Sequence, residues 1–137
     1  MATAIDEEAL IDLLTGRRDG SVIIGYLTRQ QQHAIGSLSA IVWLSRFTLH
    51  KFESRRRGTD FKLYRLVPAI LEAGEARQLS ERHLVFLWSS LSDTTRPYRA
   101  VVKTTRLRHE NYLDSAYRIQ VSQVRKTIAE SKPLRGK

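Results

Sequence analysis

Apolar residues first recur at helical spacing over residues 5–14, where Ile5, Ala9, Leu10, Leu13 and Leu14 share one side. Asp6, Glu7 and Glu8 occupy the first turn, where the helix dipole favours acids, and Gly16 with Arg17-Arg18-Asp19-Gly20 ends the segment. Val22 to Leu27 is apolar and short, a pattern that fits a buried strand or the lead-in to a helix. Thr28 then reads as an N-cap for a helix that runs to Ile35 and stops at Gly36. Ile41-Val42-Trp43-Leu44 is a compact run of strand type, and Ser45 follows as the N-cap of a further helix. The spacing of that helix buries Phe47, Leu49 and Phe52, and it closes on Arg55-Arg56-Arg57-Gly58, three guanidinium groups at the negative end of its dipole. Thr59 or Asp60 caps the next helix, Phe61 to Gly74, in which Pro68 lacks a backbone donor and predicts a kink or a break.

After Gly74 the period changes. Glu75 to Leu79 and Arg82 to Trp88 read as consecutive strands, and Ser89 to Pro97 as a turn-rich loop. Tyr98 to Thr105 and Asn111 to Arg118 form a hairpin around a basic turn. Strict alternation puts Val101, Lys103 and Thr105 on one face of the first strand with Arg99, and Ser115 and Tyr117 on one face of the second. It also sets Tyr112, Asp114, Ala116 and Arg118 on the opposite face of that strand. An amphipathic helix follows from Ser122, with Val124 and Ile128 on its apolar side, and a basic tail, 132–137, is expected to fray. Helices first and antiparallel strands second predict an α+β fold: N-terminal helices packed on a C-terminal sheet, with a final helix, in one domain spanning 1–137.

Composition narrows the partners more than the chemistry. With 42% hydrophobic residues the chain can build a core, and a formal charge of +9 favours an anionic partner, nucleic acid foremost. Cysteine is absent, which removes disulfides and thiolate chemistry. The acidic N-terminus is unlike a signal peptide and no apolar run is long enough to span a bilayer, so a soluble cytoplasmic protein, or a fragment of a larger one, is expected, without a membrane partner. Five of the fourteen carboxylates fall within the first twenty residues, and the four histidines are scattered. Neither a metal site nor a cofactor is expected from that distribution.

The chemistry that remains is metal-free attack on a phosphodiester. RNA supplies its own 2′-hydroxyl nucleophile, so a general base, a general acid and cations for the phosphate suffice. The hairpin and the Ser45–Arg57 helix concentrate the side chains that can fill those roles, among them His50, Lys51, Lys103, Thr105, His109, Ser115, Tyr117 and Arg118. Arg46, Arg55, Arg56, Arg57, Arg99, Arg106 and Arg108 are the candidate phosphate ligands around them.

Val42-Trp43-Leu44-Ser45, Thr48-Leu49 and Lys51, Tyr64 with Leu66 to Leu71, Tyr98 to Thr105, and Glu110 to Arg118 together resemble the phage-type nucleases of the barnase–EndoU–colicin E5/D–RelE superfamily over residues 22–120. The resemblance implies an RNase-like fold of phage, prophage and toxin proteins, with its cleft between the sheet and the preceding helices. It implies that Lys51 matches a basic residue of the helix, Lys103 and Thr105 the penultimate strand, and Ser115, Tyr117 and Arg118 a last-strand Ser-aromatic-Arg motif. Where the family often has a histidine at the end of the helix, this chain has Arg55-Arg56-Arg57, and His50 adjoins the matched lysine.

The expected function is therefore a metal-independent endoribonuclease of toxin or phage type acting on tRNA or another RNA. His50 or His109 would serve as base or acid, Lys51, Lys103, Arg55 and Arg118 would hold the phosphate, and Ser115 and Tyr117 would position it. Two other readings stay open: a non-catalytic basic module that binds nucleic acid or a phage protein, and a basic face docked by an acidic antitoxin or immunity protein. Oligomeric state is not legible in the sequence.

Overall fold

The computed structural model describes residues 6–49 and 61–134. The architecture is α+β, as the order of periods predicted. Helix α1 (Glu7–Leu14) leads into strand β1 (Ser21–Tyr26), helix α2 (Arg29–Ile35) and strand β2 (Ile41–Ser45). Helix α3 (Phe61–Ala73) is followed by β3 (Glu75–Ser80), β4 (His83–Ser90), β5 (Asp93–Thr104) and β6 (Asn111–Arg118). Helix α4 (Val121–Glu130) and the two-residue strand β7 (Lys132–Pro133) complete the order. The seven strands form one sheet in the order β1-β2-β6-β5-β4-β3-β7, antiparallel throughout except for β2 beside β6.

Local signals set the helix ends. The Asp6 carboxylate accepts from the Ala9 amide at 3.1 Å and starts α1. Thr28 and Gln31 exchange side-chain and backbone hydrogen bonds in a capping box, and Gly36 closes α2 at φ 65°, a left-handed conformation that suits glycine. Ser45 Oγ accepts from the Thr48 amide at 3.1 Å and begins a helical turn over residues 46–49. The rest of that predicted helix, including His50, Lys51 and Arg55 to Arg57, lies outside the described residues, as does the cap at Thr59 or Asp60.

One face of the sheet carries the main core. Val22, Ile24, Val42, Leu44, Leu84, Phe86, Ala100, Val102, Leu113 and Ala116 pack there against Leu10, Leu13 and Leu14 of α1, Ile35 of α2, and Leu63, Tyr64, Val67, Ile70 and Leu71 of α3. Helix α3 runs unbroken through Pro68, so the predicted break does not occur; the apolar side of the helix, anchored on both sides of the proline, stays seated on the sheet. Phe47, predicted to be buried, is 78% exposed, while Leu49 is buried in the core. The predicted loop at 89–97 is strand instead: β4 and β5 continue past Trp88–Tyr98 to a Ser90–Asp93 pair and turn tightly at Leu91 and Ser92.

Helix α4 lies against β5 on the other face. Arg77, on that face of β3, holds the helix end by donating to Ser131 Oγ at 2.8 Å and to the carbonyls of Ile128 and Ser131 at 3.2 Å. Those bonds satisfy carbonyls that a helix C-terminus otherwise leaves open. Of the predicted apolar side of α4, Val124 is half-buried but Ile128 is 41% exposed, and Thr127 is the buried residue. Part of the expected frayed tail is also ordered: Lys132 and Pro133 pair with Gln78 and Arg77, and Leu134 packs on the core.

Gly74 marks the tightest point of the core-side packing. A Cβ there would run into the Ile70 carbonyl oxygen and stand 3.1 Å from that of Leu87, both backbone atoms with little room to give. Gly74→Ala is therefore expected to destabilise the fold by about 1–3 kcal/mol, read as a lower midpoint in urea with an unchanged slope.

Candidate nucleic-acid interface

Among the described residues, the space between the helices and the sheet is filled by the apolar core, and the polar side chains of the hairpin stand on the opposite, outer face. Helix α3 sits close to the sheet: a Cβ on Gly25 of β1 would stand 3.3 Å from Leu71 Cβ. Most of the Ser45–Arg57 segment, the other wall predicted for the cleft, lies outside the described residues.

A bulge decides which residues share the outer face. Val101 pairs with Ser115 but Val102 pairs with Leu113, so Asp114 is an extra residue in β6. Strict alternation had separated Tyr112 and Asp114 from Ser115 and Tyr117. The bulge restarts the alternation, and Tyr112 (opposite Lys103), Ser115 (opposite Val101) and Tyr117 (opposite Arg99) now face the same way. Asp114 also reaches this face, its carboxylate 3.6 Å from Lys103 Nζ.

Register extends one transverse row across five strands. Ile23 pairs with Trp43, Trp43 with Tyr112, Tyr112 with Lys103, and Lys103 with His83. Neighbouring members are separated by the interstrand distance of ~4.8 Å. Trp43, Tyr112 and His83 are half-buried and Lys103 is exposed. Ser80, across the β3–β4 turn, holds His83 Nδ1 at 2.6 Å and leaves Nε2 as the nitrogen available to a substrate. Partial burial, the largest influence, holds the His83 pKa below the ordinary histidine value; Lys103 and Arg82 push the same way and Asp114 opposes them. Burial also raises the Tyr112 pKa, and the Glu110 carboxylate, which takes a hydrogen bond from its hydroxyl, adds to the effect. Tyr112 is thus a neutral, anchored ring at any ordinary pH.

Farther down the sheet, α4 and the buried Val85 and Val101 close off the outer face. Arg99 Nη1 donates to Tyr117 Oη at 2.7 Å, and its guanidinium stands 5.8 Å from the Tyr117 ring centre. Ser115 lies about two rungs, ~7 Å, from the Lys103 row and Tyr117 about four rungs, ~13 Å.

The structure separates other predicted residues from this group. Arg118 is exposed at the end of β6, opposite Tyr98, and His109 is exposed on the turn at the other end of the same ladder. Thr105 begins that turn, its amide bonded to the Glu110 carbonyl at 2.9 Å, and Arg106 is exposed on it. Arg108 closes the turn at φ 66° and packs beside Gly36. Arg46 is committed elsewhere, donating to the Leu13 carbonyl at 2.6 Å. His83 was missed by the sequence reading, although its place in a strand two residues before Val85 put it in register to be found. A groove of about 1190 Å³ lies at the opposite sheet edge, between α2 and the β3–β4 turn. It contains none of the predicted residues, and only Ser80 connects it to His83.

Among the described residues, no three His, Cys, Asp or Glu side chains gather in a way that could hold a metal ion, and no helix is long and apolar enough to cross a membrane. No family model, curated protein or solved structure matches the chain.

Proposed function

We propose that the chain is a metal-independent endoribonuclease whose substrate lies across the outer face of the sheet. The observation that carries this reading is the Lys103–His83 pair on adjacent strands of the outer face: a cation beside an imidazole whose pKa partial burial lowers. His83 Nε2 takes the proton of a ribose 2′-hydroxyl, and the 2′-oxygen attacks the neighbouring phosphorus. Lys103 Nζ offsets the charge that builds on the phosphate oxygens and, as a protonated group in the same row, supplies the proton to the departing 5′-oxygen. The products are a 2′,3′-cyclic phosphate and a free 5′-hydroxyl. The Lys103–Asp114 pair does not block this role, because an exposed ion pair is worth less than ~1 kcal/mol and a phosphate can displace the carboxylate. Ser115, about two rungs from the row, is the nearest further polar group, while Arg99 and Tyr117 bond each other farther down the sheet.

RNA incubated with the protein in EDTA should yield fragments ending in 2′,3′-cyclic phosphate, and His83→Ala should abolish them. RNA left intact by the wild type would leave binding without cleavage as the surviving reading. A lowered His83 pKa means the base stays neutral as pH falls to the ordinary histidine value of about 6.5, and is lost only below it. The acid limb of the cleavage rate is accordingly expected below pH ~6.5.

A further inference from the structure

The proposed chemistry uses Lys103 and His83 but leaves the other half of the row, Trp43 and Tyr112, without a role. Large aromatic side chains on adjacent strands normally gain most by facing a core. Here Trp43 belongs to the face away from the main core, is only half-buried, and pairs directly with Tyr112. Tyr112 is held by Glu110 and pairs in turn with Lys103. No helix among the described residues packs over this pair: α1, α2 and α3 occupy the other face and α4 contacts β5.

Resting on the reading of the outer face as an RNA site, we infer that Trp43 and Tyr112 form a nucleobase-stacking subsite that makes the protein select single-stranded RNA. Aromatic side chains take any base by its π-face, and a base can lie on them only when it is released from a duplex. The geometry fits one nucleotide. Trp43 lies two strands from Lys103, or ~10 Å, comparable with the reach from a base to its own phosphate. A base on Trp43 and Tyr112 thus sets its own 5′-phosphate at Lys103 and the ribose of the preceding nucleotide, which carries the attacking 2′-hydroxyl, toward His83. Charge complementarity points the same way, since the chain carries +9 and Lys103 lies at the end of the aromatic pair.

Fluorescence anisotropy with a labelled single-stranded RNA, its duplex, and polyphosphate of matched charge tests the subsite. The wild type should bind the single strand about tenfold more tightly than either other probe. Tyr112→Leu and Trp43→Leu should each erase most of that preference with an unchanged salt dependence, because phosphate contacts are untouched. Trp43→Phe and Tyr112→Phe, which retain a ring, should retain it. Trp43 emission in the otherwise native protein carrying Trp88→Phe should be quenched by the single strand, a readout that needs no substitution at the subsite. Wild-type binding with no strand preference, equal binding of polyphosphate, or leucine variants that match the wild type would overturn the stacking subsite alone. A wild type that binds none of the probes would overturn it together with the RNA reading.

Discussion

Lys103→Ala is expected to reduce RNA cleavage by roughly 100-fold or more while leaving the thermal midpoint within about a degree of the wild type. The two halves of that expectation have separate causes. Lys103 has 47% of its side chain exposed and its ion-pair partner, Asp114, is also partly solvated, so losing the pair costs the fold little. The same Nζ is the one cation that register places directly between His83 and Tyr112. Its charge is asked to meet a phosphate whose negative charge grows in the transition state, where one well-placed donor is worth about 3–4 kcal/mol. Binding should also lose about one unit of log–log salt slope, the signature of one phosphate contact removed. Cleavage by Lys103→Ala at the wild-type rate would refute the assignment of the row as the reaction centre.

Asn111→Ala is expected to destabilise the fold by about 3 kcal/mol, a large part of the total stability of an ordinary domain. Asn111 is fully buried at the start of β6. Its amide nitrogen donates to the carbonyls of Ser39 and Ile41 at 2.7 and 2.9 Å, and its oxygen accepts from Ser37 Oγ at 2.6 Å. These bonds fasten the α2–β2 connection to β6 where two residue pairs, Val42–Asn111 and Trp43–Tyr112, join the β1–β2 pair to the other five strands. Alanine would remove the side-chain donor from the Ile41 carbonyl and leave Ser37 Oγ and the Ser39 carbonyl to their 3.0 Å bond with each other. The measurement is a urea unfolding curve, and a loss below 1 kcal/mol would show that water or side-chain rearrangement replaces those bonds. Because the weakened joint also sets Trp43 beside Tyr112, strand-selective RNA binding should fall with stability in this variant, unlike in Lys103→Ala.

The elements themselves were legible because their causes are local. Asp6, Thr28 with Gln31, Gly36 and Ser45 each act within a few residues of where they stand, and the periods of α1, α3 and β3 to β6 follow from which side chains need burial. The predictions that failed depended on distant partners. Phe47 has the right spacing to be buried but meets no core among the described residues, and Pro68 does not break α3 because the helix is held by its packing. Lys132 and Pro133 are fixed by pairing with β3, some fifty residues earlier in the chain.

The candidate site divides in the same way. The α+β order, the basic character, and the residue types at Lys103, Ser115 and Tyr117 that can handle a phosphate are readable along the chain. Alternation along the chain could not show which of these look the same way. That depended on one extra residue, Asp114, and a bulge is settled by the pairing of β6 with β5 rather than by β6 alone. Nor could it show that His83, twenty residues before Lys103, would stand beside it, or that Trp43 from an apolar run would face away from the main core. Those placements come from strand register, a property of the assembled sheet, and they are the reason the site is proposed on the outer face rather than under the helices.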